Sequence, residues 1–162
     1  MKIVEPFTKE KFAKLAPGDQ VELTGTIYTA RDAAHKKILE LSDAGKPLPF
    51  GLKDAIIYYA GPAPAPPGRP IGSIGPTTSG RMDVFVSKML ELGVVATIGK
   101  GPRSTEVIEA NKKYGAVYFV ALGGAGALLA TKVKSCELIA FPELGPEAVY
   151  KLFVEDFPVI VG

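Results

Sequence analysis

The sequence predicts an α/β domain, layered and with mixed sheets. From residue 81 onward, short apolar runs alternate with helix-like segments, and this alternation is typical of parallel strand pairing. The first third of the chain has a more hairpin-like pattern, so the sheet arrangement should be mixed. A chain of 162 residues has a common size for one domain, and we take 1–162 as a single domain.

The first half of the chain predicts two strands, one helix and a proline-rich loop. Residues 19–28 alternate apolar and polar side chains, as a half-buried strand does. Thr29 is placed to cap a helix over 30–44. The apolar run 55–60 predicts a short strand. Five prolines within 61–70 predict a surface loop, because proline cannot continue a ladder of backbone hydrogen bonds.

The second half predicts further helices and strands in alternation. The segment 75–80 leads into a helix that ends before Gly93, and another helix spans 102–114. The inward face of the first of these helices should consist of Met82, Phe85 or Val86, and Met89. Apolar runs predict strands over 94–98, 116–122, 136–141 and 150–154. A glycine-rich run, 123–126, opens a short helix and lacks the spacing of a dinucleotide-binding loop.

The composition excludes several classes of protein. Nineteen Lys and Arg against 17 Asp and Glu leave a net charge of +2, which gives no reason to expect nucleic acid or an acidic membrane as a partner. No apolar run reaches the roughly 18 residues of a membrane span, and the N-terminus lacks the apolar core of a signal peptide. Cys136 is the only cysteine, so an internal disulfide cannot form and a reducing cytoplasm is expected.

The single cysteine also bears on metals. An iron–sulfur cluster needs several thiolates, so any cluster that serves this protein must be held by another chain. With one His and one Cys, the sequence offers no metal-ligand cluster of its own, and no Ser-His-Asp arrangement can be argued from it.

The first candidate functional segment is 29–35, Thr-Ala-Arg-Asp-Ala-Ala-His. Arg31 falls in the first turn of the predicted helix, where a cation opposes the helix dipole at a cost of about 0.3–1 kcal/mol. His35 lies one turn later on the same face. The alternative is structural: Arg31 pairs with a neighbouring carboxylate and His35 packs beneath it.

The second segment is 75–83, Gly-Pro-Thr-Thr-Ser-Gly-Arg-Met-Asp. Two glycines, three hydroxyls and Arg81 are crowded at a helix N-terminus, where backbone N–H groups bind anions and an arginine can grip a carboxylate with two hydrogen bonds. The alternative is an ordinary helix cap formed by Thr78 or Ser79, although a cap needs only one hydroxyl and no arginine.

The third segment is 99–103, Gly-Lys-Gly-Pro-Arg. Lys100 lies between two glycines after a buried strand, so its ammonium can approach a ligand closely. The spacing differs from that of a phosphate-binding P-loop, and nucleotide binding is not expected. Together the three segments offer Arg31, Arg81, Lys100 and a group of hydroxyls, a set that suits a small dianion such as a dicarboxylate.

These segments resemble the C-terminal region of class I, iron–sulfur-dependent fumarate hydratases. The resemblance rests on 29–36, 75–83 and 99–101, and it extends to the closing stretches 141–148 and 155–158. It covers nearly the entire chain, and the nine-residue run 75–83 is its most specific part. The related β subunit of L(+)-tartrate dehydratase shares the overall pattern.

The resemblance implies a swivelling β/β/α domain that acts as the β subunit of a hydro-lyase interconverting fumarate and L-malate, a tricarboxylic acid cycle reaction. The partner would be an α subunit whose [4Fe–4S] cluster has one open iron, which would hold the C2 hydroxyl and adjacent carboxylate of malate. We expect a cytoplasmic heterotetramer, with this chain iron-free and inactive alone.

The resemblance also implies residue roles. Arg31, Arg81 and Lys100 would bind substrate carboxylate, and Thr77 would be the candidate base at C3 of malate. The alternative for Thr77 is that it only caps the helix or orients the substrate. Thr78, Ser79, Gly80 and His35 are also assigned to substrate binding.

Two alternatives remain open at this point. One is the β subunit of L(+)-tartrate dehydratase, because carboxylate clamps do not distinguish the two substrates. The other belongs to a different class of protein, a domain that binds or senses small dicarboxylates without turnover and without a partner.

Overall fold

The computed structural model describes residues 1–122 and 124–162. Seven strands are present in the described residues: β1 Lys2–Val4, β2 Gln20–Thr29, β3 Ile56–Tyr58, β4 Ala96–Gly99, β5 Val117–Val120, β6 Val133–Ala140 and β7 Val149–Val161. The α-helices are α1 Lys9–Phe12, α2 Asp32–Asp43, α3 Asp83–Glu91, α4 Thr105–Tyr114 and α5 Gly126–Ala130. Two 3₁₀ turns cover Ser79–Met82 and Pro142–Glu147.

All seven strands belong to one mixed sheet with the order β1-β2-β3-β4-β5-β7-β6. Neighbours from β1 to β5 are parallel, whereas β7 is antiparallel to β2, β5 and β6. Because β7 pairs with both β5 and β2, the strands β2, β3, β4, β5 and β7 close on themselves. The α/β class and the mixed pairing are confirmed, as one sheet and not several.

The hairpin-like pattern expected for the first third is wrong. Both β1 and β3 pair with β2 in parallel, and the antiparallel partner of β2 is β7 from the other end of the chain. Residue alternation in β2 reports only that one of its faces is buried, and a parallel or an antiparallel neighbour can cover that face equally well.

Two hydrophobic cores lie on opposite sides of the parallel strands. Side chains alternate along a strand, so β3 directs Ile56 and Tyr58 into the core enclosed by the closed strands. Ile57 and the following Tyr59 point the other way, into a second core covered by α2, α3 and α4. The inward face of α3 is as predicted, with Val86 and not Phe85 fully buried.

Two predicted details of the helices differ in the structure. Helix α2 begins at Asp32, and Arg31 occupies its N-cap position without a side-chain cap. Thr29 is the last residue of β2 and is not a cap, because its buried hydroxyl accepts a hydrogen bond from the Tyr150 N–H at 3.2 Å. Helix α4 has the expected signals, with Ser104 as N-cap and Gly115 left-handed at φ 66°.

Other elements were missed or misjudged in length. Strand β1 and helix α1 were not predicted, and β7 continues to Val161, beyond the predicted end at 154. Of the predicted helix opening at 123–126, Gly123 lies outside the described residues, and α5 begins at Gly126. No helix within the described residues is both long and apolar enough to cross a membrane.

Candidate active site

The fold brings the three candidate segments to one edge of the sheet. Arg31 follows the end of β2 and Lys100 follows the end of β4, and these strands run parallel on either side of β3. Thr77 joins the same edge because its N–H donates to the carbonyl of Tyr59, the residue after β3, at 2.7 Å. This is the edge formed by the carboxyl ends of parallel strands, where ligands bind in both closed and open α/β folds.

Backbone pairing holds the second segment to the third. Thr78 and Lys100 form a parallel bridge, and the Ser79 N–H donates to the Lys100 carbonyl at 2.9 Å. The Lys100 side chain remains exposed at this junction. The ammonium is therefore free to turn toward a ligand while its backbone is fixed beside the hydroxyl-bearing segment.

A single ion pair connects the second segment to the first. Arg81 Nη2 lies 3.5 Å from Asp32 Oδ1, and their side chains are 53% and 43% exposed. An exposed pair of this length contributes little to stability, about 0–1 kcal/mol. A carboxylate ligand can therefore replace Asp32 as the partner of Arg81 at small cost.

Arg31 does not lie in the first turn of the helix as predicted, since it is the N-cap residue of α2. Nor does it form an ion pair with a carboxylate among the described residues, which was the structural alternative. Its side chain lies against the backbone of Gly61, where an added Cβ would stand 3.3 Å from Nη1. Its Nε is buried and has no hydrogen-bond partner among the described residues. A buried donor without a partner costs free energy. Arg31 therefore lacks a hydrogen-bond acceptor that a ligand or a second subunit can supply.

His35 is buried beneath Arg31. Its Nδ1–H donates to the Arg31 carbonyl at 2.8 Å, while the ring stacks on Phe85 and meets the edge of Tyr59. Burial is the main cause that lowers the pKa of His35 from 6.5 to about 4, so the ring is neutral at pH 7. The ring is 1% exposed, and this geometry favours the packing alternative. Its substrate-binding role stays a prediction.

The four residues from 77 to 80 have different surroundings. Thr77 is half-buried, whereas Thr78 and Gly80 are exposed. Thr78 occupies the N-cap position of the 3₁₀ turn without a side-chain cap hydrogen bond. Ser79 is fully buried, and its hydroxyl donates to the Tyr118 hydroxyl at 2.8 Å. Neither hydroxyl caps the turn, so the structural alternative for this segment is not observed.

A buried ion pair that the sequence did not predict lies beneath the edge. Arg103 Nε donates to Asp83 Oδ1 at 2.8 Å, and their side chains are 2% and 16% exposed. The guanidinium also lies over the rings of Tyr59 and Tyr118, at 5.2 and 4.8 Å from their centroids. Both charged residues are within the segments singled out above, but no local pattern distinguishes a buried cation from an exposed one.

The candidate residues are on an open surface and not in the largest described cavity. That cavity, about 800 Å³, lies between α1, α4 and β5, and Thr77, Arg81 and Lys100 do not line it. Gly101 and Arg103 do line it, so it borders the third segment from behind. An open edge with exposed cations is suited to a site that another surface completes.

The described residues contain no group of three or more His, Cys, Asp or Glu side chains suited to hold a metal ion. Cys136 lies on β6 and is half-buried, and burial raises the pKa of its thiol. A single cysteine cannot supply the several thiolates that an iron–sulfur cluster needs.

Comparison with known proteins identifies the relatives of this chain. A family model described as Fumarase C-terminus matches residues 1–162. The chain is 48% identical over 158 residues to the anaerobic class I fumarate hydratase of Escherichia coli (strain K12), covering 94% of this chain and 29% of that protein. It is 45% identical over 161 residues to the putative L(+)-tartrate dehydratase subunit beta of Methanocaldococcus jannaschii, covering 96% and 83%.

A more distant relative extends the second group. The L(+)-tartrate dehydratase subunit beta of Escherichia coli (strain K12) is 34% identical over 165 residues, which cover 99% of this chain and 81% of that subunit. The chain thus spans less than a third of the fumarate hydratase it matches, and most of each tartrate dehydratase subunit. Because the family model matches every residue, the predicted resemblance is confirmed, and the chain belongs to the Fumarase C-terminus family.

Proposed function

We propose that the chain is the β subunit of a two-subunit, class I hydro-lyase that interconverts fumarate and L-malate. The observation that carries this proposal is the meeting of Arg31, Thr77, Arg81 and Lys100, from three separate segments, on one open edge. Among the described residues, Arg81 is the one of these three cations that has a carboxylate partner, Asp32, and a surface with such unpaired cations suits a dicarboxylate. The edge is half of a site, and a second subunit would close it.

In the proposed complex, the cations hold the two carboxylates of the substrate. Arg81 exchanges its exposed contact with Asp32 for a substrate carboxylate, and Lys100 contributes a second charge from the adjoining backbone. The unpartnered Nε–H of Arg31 donates a hydrogen bond to a substrate carboxylate oxygen or to an acceptor of the partner subunit. Charge-assisted hydrogen bonds of this kind contribute about 1.5–3 kcal/mol each.

Thr77 is the proposed base that takes the C3 proton of malate. A threonine hydroxyl is a weak base unless its surroundings favour an anion at the oxygen. The turn and helix that follow Thr77 contribute a positive potential from their N-terminal end, and Arg81 adds a cation on the next turn. The hydrogen bond from the Thr77 N–H to Tyr59 fixes the backbone from which the hydroxyl acts.

The proposal assigns the [4Fe–4S] cluster to the α subunit. This chain has one cysteine, on β6, and its residues do not fit as the holder of such a cluster. The roles derived for Arg31, Thr77, Arg81 and Lys100 involve only binding of carboxylates and movement of one proton. The purified chain alone should therefore be colourless, free of iron and inactive.

We also propose the finer features of the complex. The two cores on opposite sides of the parallel strands support a β/β/α layering, and the swivelling of this domain against the α subunit is part of the proposal. A cytoplasmic heterotetramer with fumarate or L-malate as substrate completes it.

Tartrate dehydration is a second candidate function, favoured by the similar length of the tartrate dehydratase subunits. Co-expression of the chain with an α subunit that carries three well-separated cysteines, followed by assays with L-malate and L(+)-tartrate, decides between them. Turnover of malate supports the first candidate and turnover of tartrate alone supports the second. Dicarboxylate binding by the isolated chain, with no turnover in any complex, would support a binding or sensing domain.

A further inference from the structure

We infer that Arg103 is a positioning residue, which holds the segments carrying Thr77, Arg81 and Lys100 in register without touching the substrate itself. The inference rests on the proposed function of the edge. Arg103 follows Lys100 by three residues, yet its side chain is only 2% exposed and lies under the loops. A guanidinium so deeply buried cannot reach a ligand on the open face.

The first connection runs to the Arg81 segment through Asp83. Asp83 is the first residue of α3, two residues after Arg81, and one of its carboxylate oxygens accepts from Arg103 Nε at 2.8 Å. The other oxygen accepts from the Ser104 N–H at 2.9 Å. Both oxygens are thus used to tie the start of α3 to the start of α4.

The second connection runs to Thr77 through Tyr59. Arg103 Nη2 donates to the Tyr59 hydroxyl at 3.2 Å, and the guanidinium lies over the Tyr59 ring. The carbonyl of the same tyrosine accepts the Thr77 N–H at 2.7 Å. Arg103 therefore fixes the residue that in turn fixes the backbone of the proposed base.

The third connection runs to the Lys100 segment through Tyr118. The guanidinium lies over this ring, 4.8 Å from its centroid. The Tyr118 hydroxyl donates to the Gly101 carbonyl at 2.7 Å and accepts from the Ser79 hydroxyl at 2.8 Å. Gly101 and Ser79, which adjoin Lys100 in sequence and through a backbone hydrogen bond, are thus held by one aromatic side chain that packs on Arg103.

This set of contacts requires arginine and not merely a cation. A planar guanidinium can donate in two directions while its faces stack on aromatic rings, whereas a lysine ammonium acts as a point charge without a face. Arg103→Lys keeps the charge opposite Asp83 and loses the stacking and the second donor. It should therefore loosen the segments 75–83 and 99–103 without leaving Asp83 buried and unpaired.

The test combines kinetics of the complex with amide hydrogen exchange of the full chain. In Arg103→Lys, we expect kcat per folded molecule to fall about 10- to 100-fold, because small displacements of reacting groups have effects of that size. We also expect the amides of Thr77, Ser79 and Ser104 to exchange at least about tenfold faster, while the β2–β7 ladder keeps its protection. Arg69→Lys, on the exposed proline-rich loop, is the matched control and should change neither.

Tyr59→Phe removes only the hydroxyl that accepts from Arg103, and it serves if Arg103→Lys does not fold. It should accelerate exchange at Thr77 selectively. Parental kcat and parental exchange at these three amides would overturn the inference, as would acceleration spread evenly over the whole chain. If the parent complex turns over no dicarboxylate, the proposed function fails, and the exchange pattern still decides whether Arg103 holds the segments together.

Discussion

Arg81 and Arg103 stand at the same end of the fold in opposite surroundings. Arg81 is 53% exposed, and its contact with Asp32 is 3.5 Å long. Arg103 is 2% exposed, is paired with Asp83 at 2.8 Å and is enclosed by two tyrosine rings. The exposed arginine is available to a ligand, whereas the buried one belongs to the layer that supports the site.

The difference separates two kinds of energetic effect. Exposed ion pairs contribute about 0–1 kcal/mol to stability, while breaking a buried pair by removing one partner costs about 3–5 kcal/mol. Changes in the buried layer should therefore appear first as lost stability, and changes on the exposed edge as lost turnover. Four predictions test this division.

The largest effect is expected for Asp83→Ala. It leaves the Arg103 guanidinium buried without its carboxylate, so the free energy of unfolding should fall by about 3–5 kcal/mol. Urea denaturation of the isolated chain measures the loss. The control is Asp43→Ala, which breaks the exposed pair with Lys88 and should cost no more than about 1 kcal/mol. Equal losses in the two variants would contradict the division.

The second effect is a pH dependence from His35. The folded-state pKa of His35 is about 4, below its ordinary value of 6.5, so between these two values the unfolded chain binds the extra proton. The contribution of neutral His35 to the free energy of unfolding should therefore be complete above pH 6.5. The free energy of unfolding should fall by on the order of 3 kcal/mol as the pH drops toward 4. Unfolding measured across this range for the parent and for His35→Gln isolates the effect, because the chain has only one histidine. Identical pH profiles would show that the ring titrates normally.

The third effect belongs to the exposed edge. Thr77→Val keeps the shape of the side chain and removes the hydroxyl, so kcat and kcat/KM of the complex should fall together by about 10²-fold or more. Stability should change little. Thr131→Val, at the end of α5, is a matched control with parental kinetics. A near-normal kcat with a raised KM would make Thr77 a binding residue and not the base.

The smallest effects are expected for Arg31→Ala and Arg81→Ala. Each should weaken transition-state binding, measured as kcat/KM, by about 1.5–3 kcal/mol through loss of a charge-assisted contact. Their melting temperatures should stay near that of the parent chain, because neither guanidinium forms a buried ion pair with the described residues. A variant that melts far below the parent and keeps its kinetics would place that arginine in the supporting layer.

Some features of the fold followed directly from local patterns. The inward positions of Met82, just before α3, and of Val86 and Met89 within it follow from helical periodicity. The ends of α4 follow from Ser104 and Gly115. The three candidate segments could also be picked out, because hydroxyls, glycines and cations are concentrated where strands end.

Other features depended on partners far away in the chain. Thr29 has the chemistry of a cap, but its hydroxyl is used by the N–H of Tyr150, 121 residues later. The last strand extends beyond 154 because β2, from the other end of the chain, supplies its ladder. Asp156 at φ 53° interrupts the local pattern that would have shown this length.

The sequence by itself determined which segments carry the cations and hydroxyls. It also determined that these segments lie where a strand ends and a helix begins. Those properties depend on residues within a few positions of one another. Only the tertiary structure decided that Arg81 is exposed and Arg103 buried. Both lie near the start of a helix, and they differ because Tyr59 and Tyr118, which are remote from Arg103 in sequence, close over one guanidinium and leave the other in solvent.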